Sequence, residues 1–250
     1  MPTPLARRQR WQGFEHAKKF ALAAGDEVLV TEMEHHANLI PWQELCRRTG
    51  ATLRFIPIHD DGTLDMSAAA ELITERTKVL AFTHVSNVTG VINPVAELVA
   101  LAHAVGALVV LDACQSAPHL PLDVKALDVD FAVFSGHKML APTGIGGVYG
   151  RARCWTRCPV PHGWLHDHHC HDGEEAGYLP APQRFEAGTQ PISQAAALAA
   201  ACNYLSETGM ARIHAWEAEL GQRLVRGWKG SKESESWVRR RAFPGRIGRL

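Results

Sequence analysis

The sequence has no apolar run approaching the roughly 18 residues needed to span a bilayer, which argues against a transmembrane helix. Neither sign of charge is in excess. Lys+Arg and Asp+Glu stand at 26 each, so nothing in the net charge favours nucleic acid or an anionic membrane surface as a partner. The opening stretch MPTPLARRQRWQGFEHAKKF is basic but lacks an apolar signal core, which argues against secretion. The 6 cysteines lack the spacing of a small disulfide framework, so a reducing, cytoplasmic setting is expected. No internal repeat is visible, which excludes a solenoid. What is present is 46% hydrophobic residues in a chain of 250, enough for one large domain or one domain with a partial second.

Residues 25–150 alternate between strand and helix patterns. EVLVT (27–31), ATLRFIPI (51–58), TKVLAFTHV (77–85), ALVVLDA (107–113) and DFAVFS (130–135) read as strands. Between them, Leu39, Trp42, Leu45 and Cys46 share one helical face, and 66–75 reads as a helix capped by Asp65 or Ser67. A further helix is expected from Asn93 as cap, with Pro94 in its first turn, to about Val105. Strands alternating with amphipathic helices indicate a doubly wound, mostly parallel α/β sheet. After Arg151 the character changes. Residues 153–173 hold three of the six cysteines and five of the fourteen histidines, without helical or strand periodicity. Helical patterns return across 192–207 and 209–227, and the tail from Trp228 is polar, basic and aperiodic, the composition of a disordered segment.

In an open α/β sheet, ligands bind beyond the carboxyl ends of the strands. Four expected strand ends present polar groups there: His35; His84 with Asn87; Asp112 with Gln115; and Ser135 with His137 and Lys138, followed by a loop containing Gly144, Gly146 and Gly147. A lysine so placed can act as an amine nucleophile toward a carbonyl. An aspartate at a neighbouring strand end can hold a pyridinium proton, and that pair is what pyridoxal phosphate (PLP) chemistry requires. Ser135 and His137 can donate to a phosphate, and His35 can stack on a ring. Taken singly, each residue has a plainer reading. A lone lysine after a strand is usually solvated, Asp112 could cap a turn, His36 reads as structural, His84 suits a packed group as well as a pocket wall, and Cys114 suits a small packed residue.

The stretches TEMEHHANLIPWQ, HVSNVTGVINPV, VLDACQSAPHLPLDV, FSGHKMLAPTGIGGVYG and RFEAGTQ together resemble the group II cysteine desulfurase and selenocysteine lyase family, within the class V aminotransferase fold. The resemblance covers about 25–151 and 178–227. It implies the large domain of a type I PLP-dependent transferase, a homodimer, pyridoxal 5'-phosphate as cofactor, L-cysteine or selenocysteine as substrate, and a possible sulfur-acceptor protein. By this resemblance Lys138 carries the cofactor and moves the substrate Cα proton. Asp112 pairs with the pyridine nitrogen, Gln115 binds the phenolic oxygen, His35 stacks over the ring and Asn87 lies close to substrate and cofactor. Ser135 and His137 grip the phosphate, and Thr189 reaches the phosphate of the partner subunit.

The sequence departs from the family pattern in three places. The family's phosphate-binding threonine loop ahead of the GDEVLV strand has no counterpart in residues 1–24. The small C-terminal domain, with its nucleophilic cysteine and its arginine for the substrate carboxylate, is largely missing. An inactive cysteine desulfurase-like fragment is therefore expected; the alternatives are a non-catalytic remnant that binds cofactor or dimerises, and a related class V lyase or aminotransferase that needs no such cysteine. Third, 153–173 is foreign to the family. Its HDHHCH cluster invites a zinc reading, but the spacing follows no known finger, and a loss and recovery of reading frame fits the flanking sequence better; no metal ligand is assigned.

Overall fold

The computed structural model of the chain describes residues 22–155, 170–171, 175–176, 180–186 and 188–229. A six-stranded sheet forms the middle layer, in the order β2-β1-β3-β4-β5-β6. Its strands are β1 (Glu27–Thr31), β2 (Thr52–Ile56), β3 (Thr77–Thr83), β4 (Leu108–Asp112), β5 (Phe131–Ser135) and β6 (Gly146–Gly150). The first five run parallel and β6 returns antiparallel to β5.

Alternate residues of the central strands feed two separate cores, because side chains in a strand point to opposite faces. Leu29, Leu80, Phe82, Val109 and Leu111 lie in one cluster with Ala69 of α2 (Met66–Leu72) and Leu98 and Val99 of α3 (Val95–Ala104). Val28, Val30, Val79, Ala81 and Val110 lie in the other, against Trp42 and Leu45 of α1 (His36–Thr49). Burial on both faces explains why these strands read as near-continuous apolar runs. Asp65 caps α2 by accepting from Ala68 N–H, and Gly50, in the left-handed region at φ 78°, closes α1. Two features differ from expectation. The Asn93 side chain does not cap α3; it is buried and donates Nδ2–H to Thr83 O at 2.7 Å, satisfying a carbonyl at the end of β3. Gly146 and Gly147 belong to a strand rather than a loop, and both pack on Phe134 of β5.

At the amino edge of the sheet Asp130 is 1% exposed and accepts from Val109 N–H (3.0 Å) and His103 Nε2 (2.9 Å), with Arg151 and Arg153 beside it. This cluster ties α3, β4, β5 and the end of β6 together. Further along lie the short helix α4 (Ala152–Trp155), a two-stranded pairing of β7 (Cys170–His171) with β8 (Glu175–Ala176), and two longer helices, α5 (Ile192–Thr208) and α6 (Met210–Lys229). Most of 153–173, and the tail from residue 230, lie outside the described residues. Among the described residues no helix is long and apolar enough to cross a membrane.

Candidate active site

The four neighbouring strands β1, β3, β4 and β5 all end on one edge of the sheet. Thr83 stands level with Asp112, and Asp112 with Val133. Backbone bonds prolong the ladder, from His84 N–H to Asp112 O and from Ala113 N–H to Val133 O, each at 2.9 Å. The chain therefore leaves β3, β4 and β5 side by side before turning.

Asp112 is 7% exposed, and its Oδ1 accepts the Cys114 N–H at 2.9 Å. This two-residue turn pins one carboxylate oxygen, and the Cys114 thiol also hydrogen-bonds the carboxylate. Gln115 follows, half-buried. Beyond β5 the chain makes a single 3-10 turn, Gly136–Lys138, in which Gly136 is required because a Cβ there would press on the Ile145 side chain and carbonyl at about 3 Å. His137 points outward on this turn and Lys138 is half-buried, with no hydrogen-bond or ion-pair partner among the described residues. Its charge is felt at the Cys114 thiol, as is that of Asp112. Ser135 is buried with Oγ 3.4 Å from Cys114 Sγ.

Asn87 is exposed on a tight turn held by Ser86, whose Oγ accepts from Val88 and Thr89 N–H while its carbonyl accepts from Gly90 N–H. His84, just before it, is buried, and its Nδ1 has no partner among the described residues; burial pushes its pKa down. His35 is the N-cap of α1. Its Nδ1 accepts the Ala37 N–H at 3.0 Å, so the neutral ring carries its proton on Nε2 and its direction is fixed by the helix start. Thr189 is exposed in the loop before α5 and makes no hydrogen bond to any of these residues. His35, Asn87, Asp112, Gln115, Ser135, His137 and Lys138 thus follow strand ends on one sheet edge, whereas Thr189 follows no strand of that sheet.

Sequence reasoning missed Glu34. It is 9% exposed, with its carboxyl pKa pushed up to about 7 by burial, against the opposing pull of hydrogen bonds from Thr31, Asn38 and Thr83. The only signal in the sequence was its place between a strand end and His35. Of the described cysteines, Cys46, Cys114 and Cys154 are buried. Burial pushes their thiols up, to about 11 for Cys46 and about 12 for Cys114, so they stay protonated near neutral pH.

This is a doubly wound α/β sheet with a carboxylate at one strand end and a lysine just beyond the next. The class-V aminotransferase family profile matches residues 13–242, and the chain belongs to that family. "Probable cysteine desulfurase 2" of Mycobacterium leprae is 53% identical over 205 residues, covering 81% of this chain and 48% of its own length. The crystal structure of the cysteine desulfurase CsdA of Escherichia coli superposes with a TM-score of 0.83 at 32% identity, covering 90% of this chain and 56% of that one. A C-DES variant solved with glycine covalently linked to its PLP cofactor gives 0.76 at 26% identity, covering 88% and 60%. The chain spans about half the length of the curated relatives it matches.

The family is PLP-dependent, and the donor set suits that cofactor. A buried carboxylate held in place by a backbone N–H can pair with a pyridinium N–H, and a half-buried amine without a partner among the described residues is available to a carbonyl.

Proposed function

We propose that this chain contains the PLP-binding core of a cysteine desulfurase, an enzyme that converts L-cysteine to L-alanine and passes the sulfur on. The observation that carries the reading is the placement of Asp112 at the end of β4 and Lys138 just beyond the end of the neighbouring β5. Bound PLP supplies an electron sink for the charge left when the substrate Cα loses its proton.

Lys138 would hold the cofactor and then move the Cα proton, a role that needs the free amine its half-buried, unpartnered position can supply. Asp112, held rigid by Cys114 N–H, would keep the ring nitrogen protonated. Gln115 would bind the phenolic oxygen and His35, oriented by its capping bond, would stack on the ring. Asn87 would lie near the substrate. Ser135 and His137 would donate to the phosphate, and Thr189, exposed before α5, would serve the site of a partner subunit in a homodimer.

Sulfur transfer needs a thiolate, and the buried thiols of Cys46, Cys114 and Cys154 do not supply one. In this reading the core's own part is abstraction of the Cα proton, and none of Cys46, Cys114 and Cys154 is assigned the sulfur step. A selenocysteine substrate, a sulfur-acceptor protein, a part in iron-sulfur cluster assembly and a cytoplasmic location belong to the same reading of the whole enzyme. The burial of those thiols also favours a second reading, a class V C–S lyase or aminotransferase that needs no cysteine nucleophile.

The test is incubation of the PLP-loaded chain with L-cysteine in D2O. Slow deuteration at Cα, lost in Lys138→Ala, is expected, with neither alanine nor sulfide accumulating. Exchange that persists unchanged in Lys138→Ala overturns the assignment of Lys138. Pyruvate with sulfide would establish the lyase reading, a keto acid with retained sulfur the aminotransferase. No exchange in the wild-type chain despite bound cofactor would leave a non-catalytic remnant.

A further inference from the structure

The carboxyl group of Glu34 lies one residue before His35, and nothing in the reaction described above uses it. Its Oε1 accepts hydrogen bonds from Thr31 Oγ1 at 2.5 Å and from the Thr83 backbone N–H at 3.0 Å. Its Oε2 accepts from Asn38 Nδ2 at 2.6 Å. Asn38 is itself buried, and its Oδ1 accepts from Trp42 Nε1–H at 3.2 Å. One side chain therefore joins the end of β1, the first turns of α1 and the end of β3. Thr83, whose N–H it holds, is level with Asp112 in the next strand, and the Asp112 charge acts on Glu34 directly. Among the charged groups of the surrounding elements, Asp112 is the one that does so.

An amide cannot replace this carboxyl group without conflict. A glutamine at position 34 has one acceptor and one donor, so its NH2 would face the NH2 of Asn38. Turning Asn38 over relieves that clash and sets its NH2 against Trp42 Nε1–H instead. The mismatch is passed along the buried chain rather than removed. The hydrogen-bond arrangement therefore specifies an acid at position 34, in a turn where a purely structural staple could be neutral.

We propose that Glu34 is a positioning residue of this site: its carboxyl group locks the turn carrying His35 onto the strand end beside Asp112, so that the imidazole and the aspartate keep a fixed separation. The proposal rests on the reading of this edge as a PLP site. Asp112 and His35 are separated by strand β3, whose ladder with β1 ends at Val30 paired with Ala81, short of the turn that carries His35. Glu34, the adjacent residue, extends that connection past the ladder by accepting from Thr31 Oγ1 and from the Thr83 N–H.

The test compares the wild-type chain with Glu34→Gln and Glu34→Asp, each first shown to unfold cooperatively. Glu34→Asp keeps the charge but is one methylene too short to bridge Thr31, Thr83 and Asn38 together, so it separates reach from charge. Two readouts are taken: imidazole nitrogen shifts of His35 without cofactor, and the induced visible circular dichroism of added PLP. In the wild type, His35 should show the Nε2–H form with Nδ1 accepting. Both variants should show mixed tautomers, an altered induced signal, and PLP binding weakened by about tenfold, the scale of one lost charge-assisted hydrogen bond. Borohydride should still attach the cofactor to Lys138. If His35 and the induced signal are unchanged in either variant, the positioning role is overturned. If wild-type chain fails to attach PLP at Lys138, the cofactor reading fails instead, and the His35 shifts still decide whether Glu34 fixes that ring. Should Glu34→Gln not fold, Glu34→Asp alone decides.

Discussion

Replacing Glu34 by glutamine should change how the stability of the chain depends on pH. The carboxyl group sits at about 7 in the folded chain against an ordinary 4.5. A raised acid holds a proton in the folded state that the unfolded state releases. Its stabilising contribution is therefore full below about 4.5 and is lost as pH rises through about 7. Between pH 5 and pH 8 this amounts to about 2.5 kcal/mol, at about 1.4 kcal/mol per pH unit. Glu34 is buried, so solvent screening does not reduce the figure. His84, whose pKa burial pushes down, works in the opposite sense, because its stability is lost as pH falls; it is common to both proteins and cancels in the difference. Urea unfolding followed by far-ultraviolet circular dichroism at pH 5, 6, 7 and 8 gives the two curves. Wild type should lose about 2.5 kcal/mol relative to Glu34→Gln across that range, whatever constant offset the substitution adds. Parallel curves, within about 0.5 kcal/mol, would refute the assignment of a buried, proton-holding Glu34.

Cys114 should resist alkylation in the native chain. With its thiol pushed to about 12, only about one part in ten thousand is thiolate at pH 8, and iodoacetamide mapped by mass spectrometry should label it only once urea opens the fold. Gly147→Ala should cost about 1–3 kcal/mol, since a methyl group there overlaps the Phe134 ring, while Gly221→Ala on the open face of α6 should stabilise by about 0.5–1 kcal/mol. Both are read from urea midpoints. Asp130→Ala should cost about 3–5 kcal/mol, because it strands the Val109 N–H, His103 and Arg151 around a buried site; a midpoint shift no larger than that of a surface alanine would contradict the account of the amino edge.

The parallel strands were legible because burial on both faces leaves the middles of runs such as EVLVT and LVVLD apolar, and the structure ends β1, β4 and β5 within a residue of the expected positions. The gathering of polar groups at their carboxyl ends followed from that alternation. β6 was not legible. GGVYG offers only Val148 and Tyr149 as strand formers, and its strand identity comes from glycines that let the backbone approach Phe134. Asn93 read as a helix cap by its place before Pro94, whereas the unpaired Thr83 carbonyl claims its side chain. Glu34 read as one more acid in TEMEHH. What distinguishes it is the Thr83 N–H, 49 residues away in sequence, which no local pattern reports.

The central claim is that Lys138 and Asp112 form the core of a PLP site. Its most direct test is to mix the purified chain with PLP, reduce with borohydride, digest, and map the pyridoxyl group by mass spectrometry. The account predicts a single major adduct on Lys138, sharply reduced in Asp112→Ala. An adduct spread over surface lysines, at the same level in Lys138→Ala as in the wild type, would contradict it.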